Sequence, residues 1–328
     1  MNVLITGLTG LVGSHLADYL LTIPGVRVFG FKRWRSDPAT IRHLAGRITV
    51  IEGDVEDRSS VERAVAISQP ERIFHLAAQS YPSESWDAPV HTFNANVIGT
   101  INVLETVRHR SPKTAVHVAG SSAEYGFIRP EDCPIAETMP LKPLSPYGVS
   151  KVAQELLAYQ YHQNFGLRTF ITRSFNHIGP RQGERTAVQT FCKQVAEIEA
   201  GLRPPVVQVG NLTPRRDFSD VLDVCRALWL LVERGTPGET YNLCSGQAPV
   251  IGEVLDLVLS KARVTVRVEE DPARLRPSDE PILLGDNSRL RRDTGWAPEV
   301  PLSDSLDRIL AYWRSRLAEE AAAASLAH

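Results

Sequence analysis

An α/β fold, a doubly wound parallel sheet with a smaller mixed lobe after it, is predicted by three features of this 328-residue chain. In the first half, short apolar runs of β type alternate with helical segments, the rhythm of a parallel sheet whose crossovers are helices. The first run leads straight into a glycine-rich turn, Thr6-Gly7-Leu8-Thr9-Gly10-Leu11-Val12-Gly13, that opens a helix. Further on, Ser145-Pro146-Tyr147 starts a well-marked helix with Lys151 one turn beyond the tyrosine.

The elements follow in order. Val3-Leu4-Ile5, Val26-Arg27-Val28-Phe29, Ile48-Thr49-Val50-Ile51, Ile73-Phe74-His75-Leu76, Val116-His117-Val118 and Thr169-Phe170-Ile171 read as strands, being short, apolar and rich in branched residues. Helices are expected near 11–21, 58–68, 89–110 and 146–165. Ser145 is suited to capping the last of these and Pro146 to its first turn. After about residue 176 the rhythm breaks, Gly and Pro become frequent and the elements shorten. Residues 1–175 are therefore read as one domain and 176–328 as a smaller lobe, with an apolar helix near 220–234 that could return to the main sheet. The alanine-rich tail from Glu319 to His328 is expected to extend or fray the last helix.

Composition excludes several classes. Apolar residues at 43% and charged residues at 23% are ordinary globular values. No apolar run reaches the roughly 20 residues that span a bilayer. A formal charge of −2 gives no general attraction to nucleic acid or to an anionic membrane. Cys133, Cys192, Cys225 and Cys244 are widely spaced, without a zinc-ligand pattern, so no metal is expected. A reduced, cytoplasmic compartment fits these cysteines, and a strand beginning at Asn2 leaves no room for a leader.

The motifs carry chemistry. Glycines let a backbone approach a pyrophosphate closely, and a helix N-terminus offers it free N–H groups. Gly7, Gly10, Leu11, Val12 and Gly13 are thus candidate dinucleotide ligands. The second strand runs into Phe31-Lys32-Arg33-Trp34-Arg35, with no acid until Asp37. Cations there accommodate a ribose 2′-phosphate, so Lys32, Arg33 and Arg35 favour NADP(H), with NAD(H) as the alternative. Asp54 and Val55 are expected beside the adenine, and Leu76, Ala77 and Ala78 close to the dinucleotide. A phenol has an ordinary pKa of about 10, and an ammonium one helical turn away favours its phenolate. Tyr147 and Lys151 therefore suit the transfer of a proton at an alcohol or sugar oxygen.

Together these features resemble the extended short-chain dehydrogenase/reductase family of nucleotide-sugar epimerases, dehydratases and reductases, a family with a Rossmann-type sheet. The resemblance runs over nearly the whole chain and includes Gly7/Gly10/Gly13, Asp54, His75-Leu76-Ala77-Ala78, Asn96, Ser121, Tyr147/Lys151 and Asn176. It implies that Ser121 hydrogen-bonds the reacting sugar oxygen, that Tyr147 is the acid–base, and that Lys151 also holds the nicotinamide ribose. Asn96 is implied at the cofactor. By position, Gln79 and Ser80, with the Trp86 segment, are expected over the sugar, and Ser122 beside it. His75 and His177 are expected in supporting roles.

Dehydratases of this family carry an acid pair after the serine or threonine, with Glu two residues before Tyr-Gly. Here those positions are Ser122 and Ala123, while Glu124 comes one residue later and should point elsewhere. The second half resembles enzymes of GDP-mannose metabolism, through Gly210-Asn211-Leu212, Arg215-Arg216-Asp217-Phe218-Ser219-Asp220-Val221 and Arg276-Pro277-Ser278-Asp279. By that resemblance Arg216 and Arg276 face a diphosphate, Asn176 a sugar or phosphate oxygen, Asp279 the nucleoside, and Lys193 is a further diphosphate candidate. The expected activity is NADPH-dependent reduction of a GDP-4-keto-6-deoxy sugar. A 4-epimerase with bound NAD and a GDP-mannose 4,6-dehydratase are the alternatives. The expected partners are a GDP-sugar and a second copy of the chain, paired through the helices near 89–110 and 146–165.

Overall fold

The computed structural model describes residues 1–274 and 280–326. Its centre is a parallel sheet made of β1 (Asn2–Thr6), β2 (Arg27–Lys32), β3 (Thr49–Glu52), β4 (Arg72–His75), β5 (Ala115–Ser121), β6 (Arg168–Ser174) and the strand Thr240–Leu243. In space the order is Thr240–Leu243, β6, β5, β4, β1, β2, β3, and every pairing is parallel. The order reverses between β1 and β4. A crevice opens there at the carboxyl ends of the strands, where such folds place ligands.

Successive strand residues face opposite sides, and each side has its own core. Val3 and Ile5 of β1, Phe74 of β4 and Phe170 of β6 pack against α1 (Leu11–Leu20) and the helix Val221–Arg234. Leu4, Ile73 and Ile171 face the other way, toward α2 (Arg58–Ser68) and the helices Gly99–Arg110 and Pro146–Phe165. Both faces are thus covered, as an all-parallel sheet requires.

The chain crosses back to this sheet late. Helix Val221–Arg234 lies beside α1, strand Thr240–Leu243 pairs with β6, and Leu290 and Trp296 join the same apolar cluster. A second core holds the smaller lobe together. Helices Ala187–Glu199, Ile251–Ser260 and Leu302–Leu326 bury Phe191, Val195, Val254, Ile309 and Trp313 against one another. Short parallel pairs, Val206–Val209 with Arg267–Glu270 and Asn176–Ile178 with Phe218–Asp220, line the route from this lobe to the sheet. Among the described residues, no helix is long and apolar enough to cross a membrane.

Candidate active site

A cleft of about 940 Å³ lies between the carboxyl ends of the strands and the smaller lobe. The glycine turn forms one end of it. Gly7 has φ +71°, and a Cβ there would stand 2.8 Å from the backbone of Ala77 and Leu76, so only glycine fits. Gly13 lets the helix close on the turn, since a Cβ would meet Gly7 O at 2.4 Å. Gly10 has only Gly7 O near its Cβ direction, at 3.3 Å, and it immediately precedes α1. Backbone thus reaches the cleft unshielded at a helix N-terminus, an arrangement that fits a dinucleotide pyrophosphate. Thr6 braces the turn from behind: its hydroxyl accepts from the Leu76 and Ala77 N–H groups, each at 3.1 Å, and contacts His75 Nδ1 at 2.9 Å.

Ser121, Tyr147 and Lys151 meet in the middle of the cleft. Ser145 caps the helix Pro146–Phe165 by accepting from Gly148 N at 3.0 Å, which fixes where Tyr147 projects. The Ser121 hydroxyl, at the end of β5, stands near enough to the Tyr147 phenol to favour its ionised form. Lys151 Nζ donates to Ala119 O at 2.8 Å and lies 5.7 Å from the centre of the Tyr147 ring. Burial dominates the electrostatics of this pair. It pushes Tyr147 up to about 12, against a smaller lowering by the nearby Ser121 hydroxyl, and drives Lys151 down to about 8. Desolvation, rather than the ammonium, decides the state of the phenol. Tyr147 consequently holds its proton at neutral pH and is set up as a donor.

The stretch after Ser121 is a tight 3-10 turn, Ser122–Glu124. It turns Glu124 away from the cleft and into the protein, where Oε1 accepts from the Ser121 N–H at 2.6 Å. Ser122 and Ala123 are absent from the cleft lining, so no carboxylate replaces the missing acid pair beside Ser121.

Other expected residues are placed as follows. Gly7, Gly10, Leu11, Val12, Gly13, Leu76, Ala78, Ser80, Asn176 and Arg216 line the cleft. The Asn176 amide donates to Asp217 O at 3.1 Å, and Asp217 is itself anchored by Ser245 N and Oγ, both at 2.7 Å, and Gly246 N at 3.0 Å. Arg216 donates to Glu280 O at 2.7 Å. Arg33 and Arg35 stand exposed after β2, and Arg35 pairs with Asp54 at 3.6 Å.

Several expectations need correction. Asn96 is fully buried and absent from the cleft lining, and its amide bonds Gln79 N, Gln79 O and Ser150 Oγ at 2.8, 3.2 and 2.8 Å, which braces the site from within. Gln79 directs its side chain to Tyr81 and Glu84, stiffening its own loop. Ser122 lies in the turn just described. Lys32 is tied to Glu52 at 2.8 Å, Lys193 pairs with Glu184 and Glu197, and Val55 packs into the apolar core on the far face, whereas Ala77 packs against that core with its backbone at the glycine turn. Arg276 and Asp279 lie outside the described residues.

Sequence reasoning missed Tyr81, Arg181, Arg185, Asn211 and Arg274, which also line the cleft. Arg181 joins the two lobes through Asp18 at 2.7 Å and Thr40 O at 3.2 Å. Asn211 sits in a motif already singled out, Gly210-Asn211-Leu212, so there the signal was present without an assigned role. His75 and His117 are buried between strands and held neutral, each lowered to about 3 by desolvation. Among the described residues, no group of His, Cys, Asp or Glu could hold a metal ion.

A Rossmann-type crevice with a Ser-Tyr-Lys centre defines the short-chain dehydrogenase/reductases. The family model for GDP-mannose 4,6 dehydratase matches residues 4–309, and the chain belongs to that family of nucleotide-sugar oxidoreductases that use a nicotinamide dinucleotide. It is 34% identical to a GDP-6-deoxy-D-mannose reductase of Pseudomonas aeruginosa over 316 residues, 96% of this chain and 98% of that one. A GDP-mannose 4,6-dehydratase of Yersinia enterocolitica is 28% identical, with 94% of this chain and 92% of the relative covered. Among solved structures, RMD from Pseudomonas aeruginosa complexed with NADPH superposes with a TM-score of 0.84 at 31% identity, covering 96% of this chain and 100% of that one. The UDP-glucose 4-epimerase of Thermus thermophilus in complex with NAD gives 0.84 at 28% identity, covering 96% and 99%.

Proposed function

We propose that the chain reduces the C4 keto group of GDP-4-keto-6-deoxy-D-mannose to give GDP-D-rhamnose, with NADPH preferred. The observation that carries this reading is the position of Glu124. A 4,6-dehydratase needs a carboxylate at the sugar, and here the nearest candidate is turned into the core with one oxygen on the Ser121 amide. The likeness to a GDP-6-deoxy-D-mannose reductase and to a fold solved with NADPH supports the same reading.

A nicotinamide dinucleotide held in the cleft would supply the hydride for the carbonyl carbon. Gly7, Gly10 and Gly13 would hold its pyrophosphate, with Arg33 and Arg35 near the ribose phosphate. Ser121 orients the sugar carbonyl. Tyr147, protonated across the neutral range, donates its proton to the C4 oxygen, so that C=O becomes CH–OH. Lys151 keeps positive charge beneath the phenol and steadies the phenolate left behind. Arg216, with Asn176 beside it, faces the diphosphate, for which a guanidinium fork is chemically suited.

A homodimer belongs to the same reading. The helix Pro146–Phe165 exposes Val149, Leu156 and Tyr159, and the neighbouring 89–98 segment exposes Val90, Phe93 and Ile98. A contiguous apolar face of that kind suits a second copy of the chain.

The test is NADPH oxidation with the keto-sugar, run beside NADH. Turnover with NADPH and formation of a GDP-deoxyhexose supports the reductase. A purified protein that retains NAD and interconverts C4 epimers without net oxidation would replace it with the epimerase.

A further inference from the structure

Behind Ser121, clear of the cleft, Glu124 is fully buried, with Arg173 and Glu155 nearly so. Arg173 holds Glu155 through two bonds, Nε at 2.8 Å and Nη2 at 2.6 Å. Its other terminal nitrogen reaches the Tyr125 hydroxyl at 3.0 Å and Glu137 O at 2.8 Å. Glu124 meets the guanidinium only at 3.7 Å. The arginine charge is already matched by Glu155, so a second buried carboxylate would have no hydrogen-bonded counter-charge of its own, Lys151 acting on it only through space.

The two oxygens of Glu124 differ. Oε1 accepts the Ser121 N–H at 2.6 Å, whereas Oε2 is buried without a hydrogen-bond partner, beside the Glu155 carboxylate. A proton on Oε2 resolves both problems, because it donates to Glu155 and cancels the surplus charge. Burial, followed by the Glu155 charge, accordingly pushes Glu124 well above the ordinary carboxylate range. Gly120 makes the space: a Cβ there would lie 2.5 Å from Glu124 Oε1. Glu155 stands one turn beyond Lys151, as Lys151 stands one turn beyond Tyr147, so all three share a face of the helix Pro146–Phe165. A continuous line of contacts thus links the Ser121 amide, Glu124, Glu155 and the helix that carries Tyr147.

We propose that Glu124 is a positioning residue of this active site, a neutral carboxylic acid that bridges the Ser121 amide to Glu155 and so holds the Ser121 hydroxyl in register with the Tyr147 phenol. The proposal rests on reading Tyr147 as the proton donor. It gives the displaced acid of the dehydratase-like motif a role that needs no contact with substrate.

Two variants test it. In Glu124→Gln the amide can still accept from Ser121 and donate to Glu155, whereas Glu124→Ala breaks the bridge. Steady-state NADPH oxidation with the keto-sugar should show kcat down about 100-fold in E124A, the cost of roughly 1 Å of misplacement, with KM and NADPH affinity nearly unchanged. E124Q should recover most of that loss. Crystal structures of both variants give a readout independent of the substrate. The Ser121 hydroxyl should move away from the Tyr147 phenol in E124A and keep its wild-type place in E124Q. A folded E124A with the Ser121 hydroxyl unmoved beside Tyr147, or with wild-type kcat, overturns the proposal. So does an E124Q as impaired as E124A, which would mean that the acid's own ionisation is required. If the wild-type enzyme fails to reduce the keto-sugar, the substrate reading falls and the crystallographic comparison still decides the role of Glu124.

Discussion

Tyr147 concentrates the chemistry, and its setting shows which parts of a site a sequence can display. The Tyr147/Lys151 pair and the Gly7/Gly10/Gly13 turn depend on local spacing, so both were legible. The protonation balance was not, because it depends on burial by residues far along the chain: desolvation lifts Tyr147 to about 12 and brings Lys151 to about 8. Tyr147→Phe should reduce turnover by roughly 10²- to 10⁴-fold while leaving NADPH affinity intact, as measured by steady-state kinetics and fluorescence titration. The pH profile follows from the lysine. Its ammonium is present below about 8 and lost above it, while Tyr147 stays protonated far beyond. The expected kcat/KM for reduction therefore falls as pH rises through about 8, and a profile flat to pH 10 would remove Lys151 from the mechanism. At Arg216, replacement by Ala should raise KM for the GDP-sugar more than it lowers kcat, since the contact proposed for it is with the diphosphate rather than the reacting carbon.

At the scale of elements, regular periodicity was readable and its interruptions were not. The expected helix near 89–110 is in fact a short helix, Pro89–Phe93, a π-helical turn, Asn94–Ile98, and then Gly99–Arg110. Such turns commonly mark functional sites. This one carries the Asn96 side chain that ties the 79–81 loop to Ser150, in the turn of helix between Tyr147 and Lys151. The residue's type gave the right neighbourhood, but its role as a brace emerges only from tertiary contacts. Asn96→Ala removes the partner of Gln79 N and Gln79 O, at about 1–3 kcal/mol each when unsatisfied, while Ser150 keeps its bond to Tyr147 O. The expected result is a clear drop in melting temperature and a weaker Michaelis complex, read by calorimetry and by KM. The turn Ser122–Glu124 is the second such interruption. A strand-like reading of the stretch foresaw Glu124 pointing away, yet could not supply its partners, Ser121, Glu155 and Arg173.

For the whole molecule, the first six strands and the crossovers were visible as alternating runs, whereas the late return of Thr240–Leu243 to the sheet was not. That strand is short, follows an irregular lobe, and takes its place by pairing with β6, sixty-odd residues upstream. Packing also fixes a pH response. His75 and His117 are lowered to about 3, and His15 and His177 to about 4, chiefly by burial, from an ordinary 6.5. The unfolded chain binds these protons more readily, so their contribution to stability is complete above 6.5 and is lost as pH falls toward 4 and 3. Urea midpoints should drop steeply across that interval, and an invariant midpoint would show that the histidines are not held neutral. A charge at Leu156 or Tyr159, as in Leu156→Asp, should convert the expected dimer to a monomer in sedimentation while leaving the cleft intact. The most direct test of the central claim sets two substrates side by side, GDP-4-keto-6-deoxy-D-mannose with NADPH and GDP-mannose without added reductant. Oxidation of NADPH with formation of GDP-D-rhamnose, and no reaction of GDP-mannose, is the predicted result; a 4-keto-6-deoxy product formed from GDP-mannose without NADPH oxidation would contradict the account.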